Sequence, residues 1–317
     1  MITHYFLKDN HLIETEDIKE SLWLHVEKPT TAEIEQLSKK YELPKDYLTS
    51  ILDDAENSRA EGLNQENFLI PALLLLQFPY VSTSPSGYLQ FNTYPLALII
   101  TPEKKLLTVC NYHMPFFKTI LEKPLPKNDM SNKLNLVLQI LWHLAFTYNQ
   151  NLADLKRQVD KLEGQIQVST ENKHLYQLMD IQKSLVLFEA ATKANFKTLT
   201  KLANTNEFQN HHAYQNHLHD ILVETKQSVT TAKINLQLVS QMNETFSAIV
   251  SNNLNIVMKI LTSLTIVLTI PTIIGGIYGM NVKLPFAKSD YAFLLITGVT
   301  ILICYLVIKY LKKRNLL

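Results

Sequence analysis

Glycine is scarce in this chain: there are seven in 317 residues, and four of them, Gly275, Gly276, Gly279 and Gly298, fall near the C-terminal end. No G-x-G-x-x-G and no G-x-x-x-x-G-K-[ST] occurs, so the backbone cradles that hold nucleotide phosphates are missing, which argues against a nucleotide-driven pump. Cysteine is scarcer still. Cys110 and Cys304 lie in different parts of the chain, which argues against a disulfide framework and for a reduced compartment. Charge of one sign is not in excess either: Lys+Arg 30 against Asp+Glu 29 gives a formal +1. With no compact basic, aromatic-interleaved patch in the first 250 residues, nothing points to a nucleic-acid partner. The N-terminus MITHYFLKDN lacks a basic-then-apolar signal pattern, so the large N-terminal part is expected to stay where it is made. No nucleophile is paired with a base in any motif. The chain reads as a non-enzyme.

What the chain does have is long uncharged sequence. From Ile260 to Val282 no residue carries charge, enough to cross a bilayer as a helix. Within Ile256–Asn281, IVMKILTSLTIVLTIPTIIGGIYGMN, the apolar filling is broken by a seam. Asn255, Met258, Thr262, Thr265, Thr269, Thr272 and Gly276 alternate three and four apart, which places them on one helix face. Such a seam packs on other helices or lines water. The helix is expected to stop in Gly275-Gly276-Ile277-Tyr278-Gly279-Met280-Asn281. A second uncharged run, Tyr291–Ile308, precedes Lys309, Lys312, Lys313 and Arg314. This basic tail predicts a cytoplasmic C-terminus, and two spans then place the N-terminal part in the cytoplasm as well. Three uses fit that layout: an oligomeric channel, a membrane-anchored sensor or a non-conducting scaffold. The seam favours the channel.

The expected fold is an α+β cytoplasmic domain over 1–125, then long helices over 126–250. Ser21–Val26, Phe68–Phe78, Leu89–Thr93, Leu96–Thr101 and Leu106–Val109 read as strands. Thr30–Tyr41 and Pro44–Leu52 read as helices, the first capped by Thr30 or Thr31. Pro79–Gly87 reads as a surface turn. Apolar periodicity predicts helices over Asn132–Val168 and Leu175–Leu202, with a turn at Asn204-Thr205-Asn206. From His211 onward no Gly or Pro interrupts until Pro271, so one helix is expected to run from solvent into the membrane. At about 1.5 Å per residue it would extend on the order of 100 Å. Such a stalk suits packing against copies of itself, through Ile221, Leu222, Val229, Ile234, Leu236, Leu238 and Phe246. The remaining segments are 251–281 as the pore-lining span, 282–290 as the outer loop, 291–309 as the second span and 310–317 as the basic tail. Two clusters admit a metal reading beside a solvated-surface one. They are Asp53-Asp54-Ala55-Glu56, and His211, His212, His217 and His219 with Asp220.

Asn255–Thr262, then Pro271-Thr272, then Gly276–Asn281 resemble the first membrane helix of the CorA family of magnesium channels. Those proteins end the pore helix in Tyr-Gly-Met-Asn, add a short outer loop and one more span, and finish in a basic tail. The resemblance implies a funnel-shaped homopentamer carrying Mg²⁺, and also Co²⁺ or Ni²⁺, without nucleotide. It implies a selectivity filter at Gly279, Met280 and Asn281, where oxygen acceptors recognise the hydrated ion. Below the filter, Gly276, Thr272, Thr269, Thr265, Thr262 and Asn255 would line the path, and Met258 and Leu261 would form an apolar constriction. For the threonines, bonding back to their own helix turn is the alternative.

The departures from the family concern regulation. The outer loop Val282–Asp290 holds two lysines and one acid, so the acidic mouth common in the family is missing. Asp220 matches a family carboxylate that holds regulatory Mg²⁺ between cytoplasmic domains, with His219 beside it. No acid occurs between Glu66 and Glu103 to serve as its partner, and Leu141–Thr147 has no carboxylate where the family has an acidic face. The expectation is weaker or different Mg²⁺ feedback. A zinc-selective relative is the alternative within transport, although such relatives carry Val where this chain has Met280.

Overall fold

The structure is a computed structural model. It describes every residue except 64–69, 104, 127–130, 169–170, 210–211, 283–284, 286–290, 315 and 317. The chain forms two compact units, Met1–Asn243 and Glu244–Leu317.

The first unit is built on a seven-stranded sheet. Its strands are β1 (Ile2–Lys8), β2 (His11–Thr15), β3 (Trp23–Glu27), β4 (Arg59–Glu61), β5 (Ala72–Thr83), β6 (Leu89–Ile100) and β7 (Leu106–Cys110), in the order β2-β1-β3-β7-β6-β5-β4. β3 and β7 run parallel and every other pair is antiparallel. Helices α1 (Thr31–Lys40) and α2 (Lys45–Thr49) bury Ile34, Leu37, Tyr47 and Leu48 against Leu24, Val26, Leu73, Leu75, Ala97, Ile99, Leu107 and Val109. α1 starts on a full capping box: Thr30 Oγ1 accepts from the Glu33 N–H, and the Thr30 N–H donates to the Glu33 carboxylate. A short α3 (Phe117–Glu122) lays Phe117 over Tyr5, Trp23 and His25.

The sheet differs from the sequence reading in its prolines. Leu89–Thr93 and Leu96–Thr101 are one strand, β6, and β5 runs through Pro79 to Thr83, leaving the turn to the residues after it. Pairing to β4 ends at Leu75. Two residues on, the Gln77 N–H and C=O are both taken by the Asn195 side chain, at 2.9 and 2.7 Å, so they point to the open edge. By alternation Pro79 faces the same edge, where its missing N–H breaks no ladder bond. Pro95, opposite Gln77, lies just beyond the end of the β6–β7 pairing at Leu96. β1, β2 and β4 are strands that the sequence reading did not include, and Phe68 lies outside the described residues.

Long helices follow: α4 (Asn132–Val168), α5 (Asn172–Ala203), a single turn α6 (Asn206–Gln209), α7 (His212–Tyr278) and α8 (Ala292–Lys313). α5 packs on the β5–β6 ribbon through Phe188 against Phe91 and through Ser184 Oγ, which accepts from the Phe91 N–H at 3.0 Å. α4 reaches the same ribbon with the buried Tyr148, whose hydroxyl donates to the Gln77 carbonyl at 3.0 Å.

The face of α7 that the first unit buries within one chain is largely distinct from the residues expected to pack against copies of the chain. Tyr214, Leu218, Ile221, Thr225, Ser228, Ala232, Asn235 and Val239 form the buried stripe, at alternating steps of four and three. Of the predicted seam residues only Ile221 and Phe246 are buried, while Ile234 is 54% exposed. Ser228 of this stripe donates from Oγ to the Asn149 side-chain oxygen of α4 at 2.7 Å, and the Asn149 amide donates to the neighbouring Glu224 carboxylate at 2.7 Å.

In the second unit α8 lies along α7. Ser263, 2% exposed, donates to the Leu316 carbonyl at 2.6 Å, and the Cys304 thiol lies 3.9 Å from the Val267 carbonyl oxygen. Both α7 and α8 contain a stretch long and apolar enough to cross a membrane, and almost none of either stretch is buried. α7 stays helical through Pro271.

Candidate ion pathway

The seam residues of α7 all stand exposed. Asn255, Met258, Leu261, Thr262, Thr265, Thr269, Thr272 and Gly276 are in the open, with Met258 at 51% and Leu261 at 55%. The residues of this segment that α8 shields are Ser263, Val267, Ile270 and Ile274. At ~100° per residue these lie roughly on the opposite side of α7 from the seam. One chain therefore covers the back of the helix and leaves its polar front free.

The threonines bond back to their own helix. Thr265 Oγ1 donates to the Leu261 carbonyl at 2.8 Å, Thr269 to Thr265 at 2.7 Å and Thr272 to Leu268 at 3.0 Å. This geometry has a chemical consequence. Each hydroxyl commits its only hydrogen inside the helix, and its two lone pairs can only accept. At Thr265, Thr269 and Thr272 the front of α7 thus offers hydroxyl acceptors, not hydroxyl donors, to whatever stands before it.

α7 ends where the sequence predicted. The Gly279 N–H closes on the Gly275 carbonyl at 2.9 Å and Met280 N–H on Ile277 at 3.2 Å. A Cβ on Gly279 would come within 3.3 Å of the Gly275 oxygen, tighter than most side chains tolerate. Gly279, Met280 and Asn281 are exposed at the carbonyl end of a 67-residue helix, where the partial negative charge of the helix dipole collects and cations are favoured. Tyr278 Oη lies 3.4 Å from the Pro285 carbonyl it donates to. The two lysines and the acid of the predicted outer loop, Lys283, Lys288 and Asp290, lie outside the described residues, as does His211.

The other sequence candidates are not assembled in one chain. Asp220 and His219 are both exposed, and no three His, Cys, Asp or Glu among the described residues stand where they could hold a metal ion. His219 lines a hollow of about 470 Å³ with Phe208, Gln215 and Leu222. Neighbouring His217 is half-buried beside Trp142; burial pulls its pKa below the usual 6.5, partly offset by Asp220. The acids near Asp53 are engaged elsewhere. Arg59 binds Asp46 at 2.6 Å and Glu56 and Glu61 at 2.7 Å, and Asp54 accepts from Tyr112 Oη at 3.0 Å. What sequence reasoning missed is the back of α7: Ser263 and Cys304 sit off the seam, and only Pro271 in an apolar run hinted that a carbonyl there needs a donor.

An α/β domain, long helices and two C-terminal apolar helices, the first with an exposed polar front, make this a membrane-integral protein of the two-span kind. A family model described as CorA-like Mg²⁺ transporter protein matches residues 19–313, and the chain belongs to that family of membrane transporters. The cobalt/magnesium transport protein CorA of Methanocaldococcus jannaschii is 23% identical over 296 residues, covering 93% of this chain and 90% of that one. The solved complete structure of the CorA magnesium transporter from the same organism aligns with a TM-score of 0.78 at 20% identity, covering 98% of this chain and 97% of that one. The cytoplasmic domain of ZntB from Vibrio parahaemolyticus aligns with a TM-score of 0.59 at 12% identity, covering 79% of this chain and 98% of that one.

Proposed function

We propose that this chain forms a homopentameric channel in the plasma membrane that carries Mg²⁺ inward down the membrane potential. Both termini are cytoplasmic in this reading, 1–125 and 126–250 form the cytoplasmic domain and stalk, 251–281 and 291–309 span, and 282–290 faces out. The observation that carries it is the front of α7, a line of acceptors ending at the negative end of the helix in Gly279-Met280-Asn281. A hydrated Mg²⁺ turns the hydrogens of its tightly held waters outward, and acceptors are what those hydrogens need. Five Asn281 side-chain carbonyls with the Gly279 backbone carbonyls would make the recognising ring. Thr272, Thr269, Thr265, Thr262 and Asn255 continue the acceptor line inward past Gly276, and Met258 and Leu261 form the apolar constriction. A divalent ion gains about 4–5 kcal/mol across 100 mV, twice the single-charge value, so no nucleotide is required.

Regulation differs from chemistry at the filter. With Asp220 and His219 exposed and no three His, Cys, Asp or Glu among the described residues placed to hold an ion, internal Mg²⁺ is expected to close the channel weakly. Strong closure by millimolar internal Mg²⁺ that Asp220→Ala abolishes would contradict this. Zinc transport is the second reading, favoured by the fold likeness to the ZntB domain and opposed by Met280. Liposomes holding either a Mg²⁺ or a Zn²⁺ dye separate the two readings, and the mass of the assembly in detergent tests the pentamer.

A further inference from the structure

Pro271 sits inside α7 and has no N–H, so the carbonyl four residues earlier, on Val267, loses its helical donor. In hydrocarbon no water can replace that donor, and proline survives in spanning helices where a neighbour does. The nearby threonine hydroxyls give their hydrogens to Leu261, Thr265 and Leu268 instead. The donor that reaches Val267 is the Cys304 thiol of α8, at 3.9 Å. One turn earlier on the same side of α7, Ser263 Oγ donates to the Leu316 carbonyl. These two ties, one to α8 and one to the segment just after it, therefore fall on the back of α7, away from the threonine front.

We propose that Cys304 is a positioning residue: by satisfying the Val267 carbonyl that Pro271 frees, it holds α8 on the back of α7 and fixes the rotation at which the acceptor front is presented. Sulfur suits the place. The thiol is a weak donor with little desolvation cost, small enough to sit in an apolar helix contact. The transport consequence rests on the channel reading above, whereas the contact itself does not.

The test uses the full-length chain with Cys304→Ser, Cys304→Val, Pro271→Ala and the double change Pro271→Ala with Cys304→Val. Two quantities are read: the thermal midpoint in detergent and the rate of Mg²⁺ entry into liposomes. Serine keeps a donor, so Cys304→Ser stays within about twofold of the parent rate. Valine is apolar and has no donor, so Cys304→Val lowers the midpoint and slows entry roughly 5- to 10-fold, as a carbonyl left unpaired would. Pro271→Ala restores the backbone N–H, so in that background Cys304→Val changes neither quantity. The same loss in both backgrounds would reduce Cys304 to packing and overturn the proposal, as would equal behaviour of the serine and valine variants. If Pro271→Ala does not assemble, the serine–valine contrast decides. If the parent chain passes no Mg²⁺, the channel reading fails while the midpoints still judge the contact.

Discussion

Acid should loosen the N-terminal domain through one histidine. His25 lies in β3 with its ring against Phe117 at 4.4 Å and its Nδ1 2.8 Å from Thr108 Oγ1, an oxygen that also accepts from Trp23 Nε1. Its Nε2 is buried without a partner, 3.9 Å from the Glu27 carboxylate, which is itself bonded to His113 at 2.9 Å. Burial pulls the His25 pKa from 6.5 down to about 4; Glu27 pushes it up and His113 down by less. The folded pKa is therefore below the unfolded one. Between them the unfolded chain binds more protons, so this contribution is complete above about pH 6.5 and is lost as pH falls toward 4. At about 1.36 kcal/mol per pH unit the whole effect is roughly 3 kcal/mol, with about 2 kcal/mol gone by pH 5. Trp23, 5.8 Å from the His25 ring, provides the signal. Denaturant unfolding of the detergent-solubilised chain followed by tryptophan fluorescence should show the parent losing about 2 kcal/mol more than His25→Gln between pH 7 and pH 5. Equal losses in the two proteins would refute the reasoning.

Further outcomes follow from the same structure. Asn195→Leu removes the side chain that answers the Gln77 N–H, while Tyr148 still serves the carbonyl; a loss of about 1–3 kcal/mol in denaturant unfolding is expected, and none would show the edge is wet. Cys110 is buried, with burial and then Glu27 pushing its thiol up to about 12, so iodoacetamide at pH 8 should leave it unlabelled in the native protein and label it on denaturation. Thr265→Val and Thr269→Val together keep helix shape and remove two acceptors from the front of α7; Mg²⁺ entry should fall several-fold with the thermal midpoint unchanged or raised, and undiminished entry would remove the threonines from the path.

Much of the fold was legible where local chemistry is self-sufficient. Thr30 and Glu33 announce a capping box without help from the rest of the chain, and the leucine period of Asn132–Val168 fixes α4 because that helix buries an apolar face. Legibility failed where tertiary partners supply what the sequence seems to lack. Pro79 and Pro95 look like strand breakers until Asn195 and the ends of β4 and β7 show that no ladder bond is missed. The buried stripe of α7 went unread because Thr225, Ser228 and Asn235 are polar: Thr225 bonds back to the Ile221 carbonyl and Ser228 to Asn149, while the Asn235 amide nitrogen is buried without a partner among the described residues. For the candidate site, spacing alone gave the threonine front and the helix stop. It could not give the placement of α8 on the opposite side, nor the tie between Cys304 and Val267, since those depend on how two helices meet.

The central claim, that hydrated Mg²⁺ crosses at the Gly279–Asn281 end of α7, is tested most directly by Mg²⁺ entry into dye-loaded liposomes under an imposed inside-negative potential, for the parent chain and Asn281→Ala. Entry that grows with the potential and collapses in Asn281→Ala, with the assembly's mass unchanged, is the predicted result. No entry in the parent, or entry that the substitution leaves untouched, would contradict it.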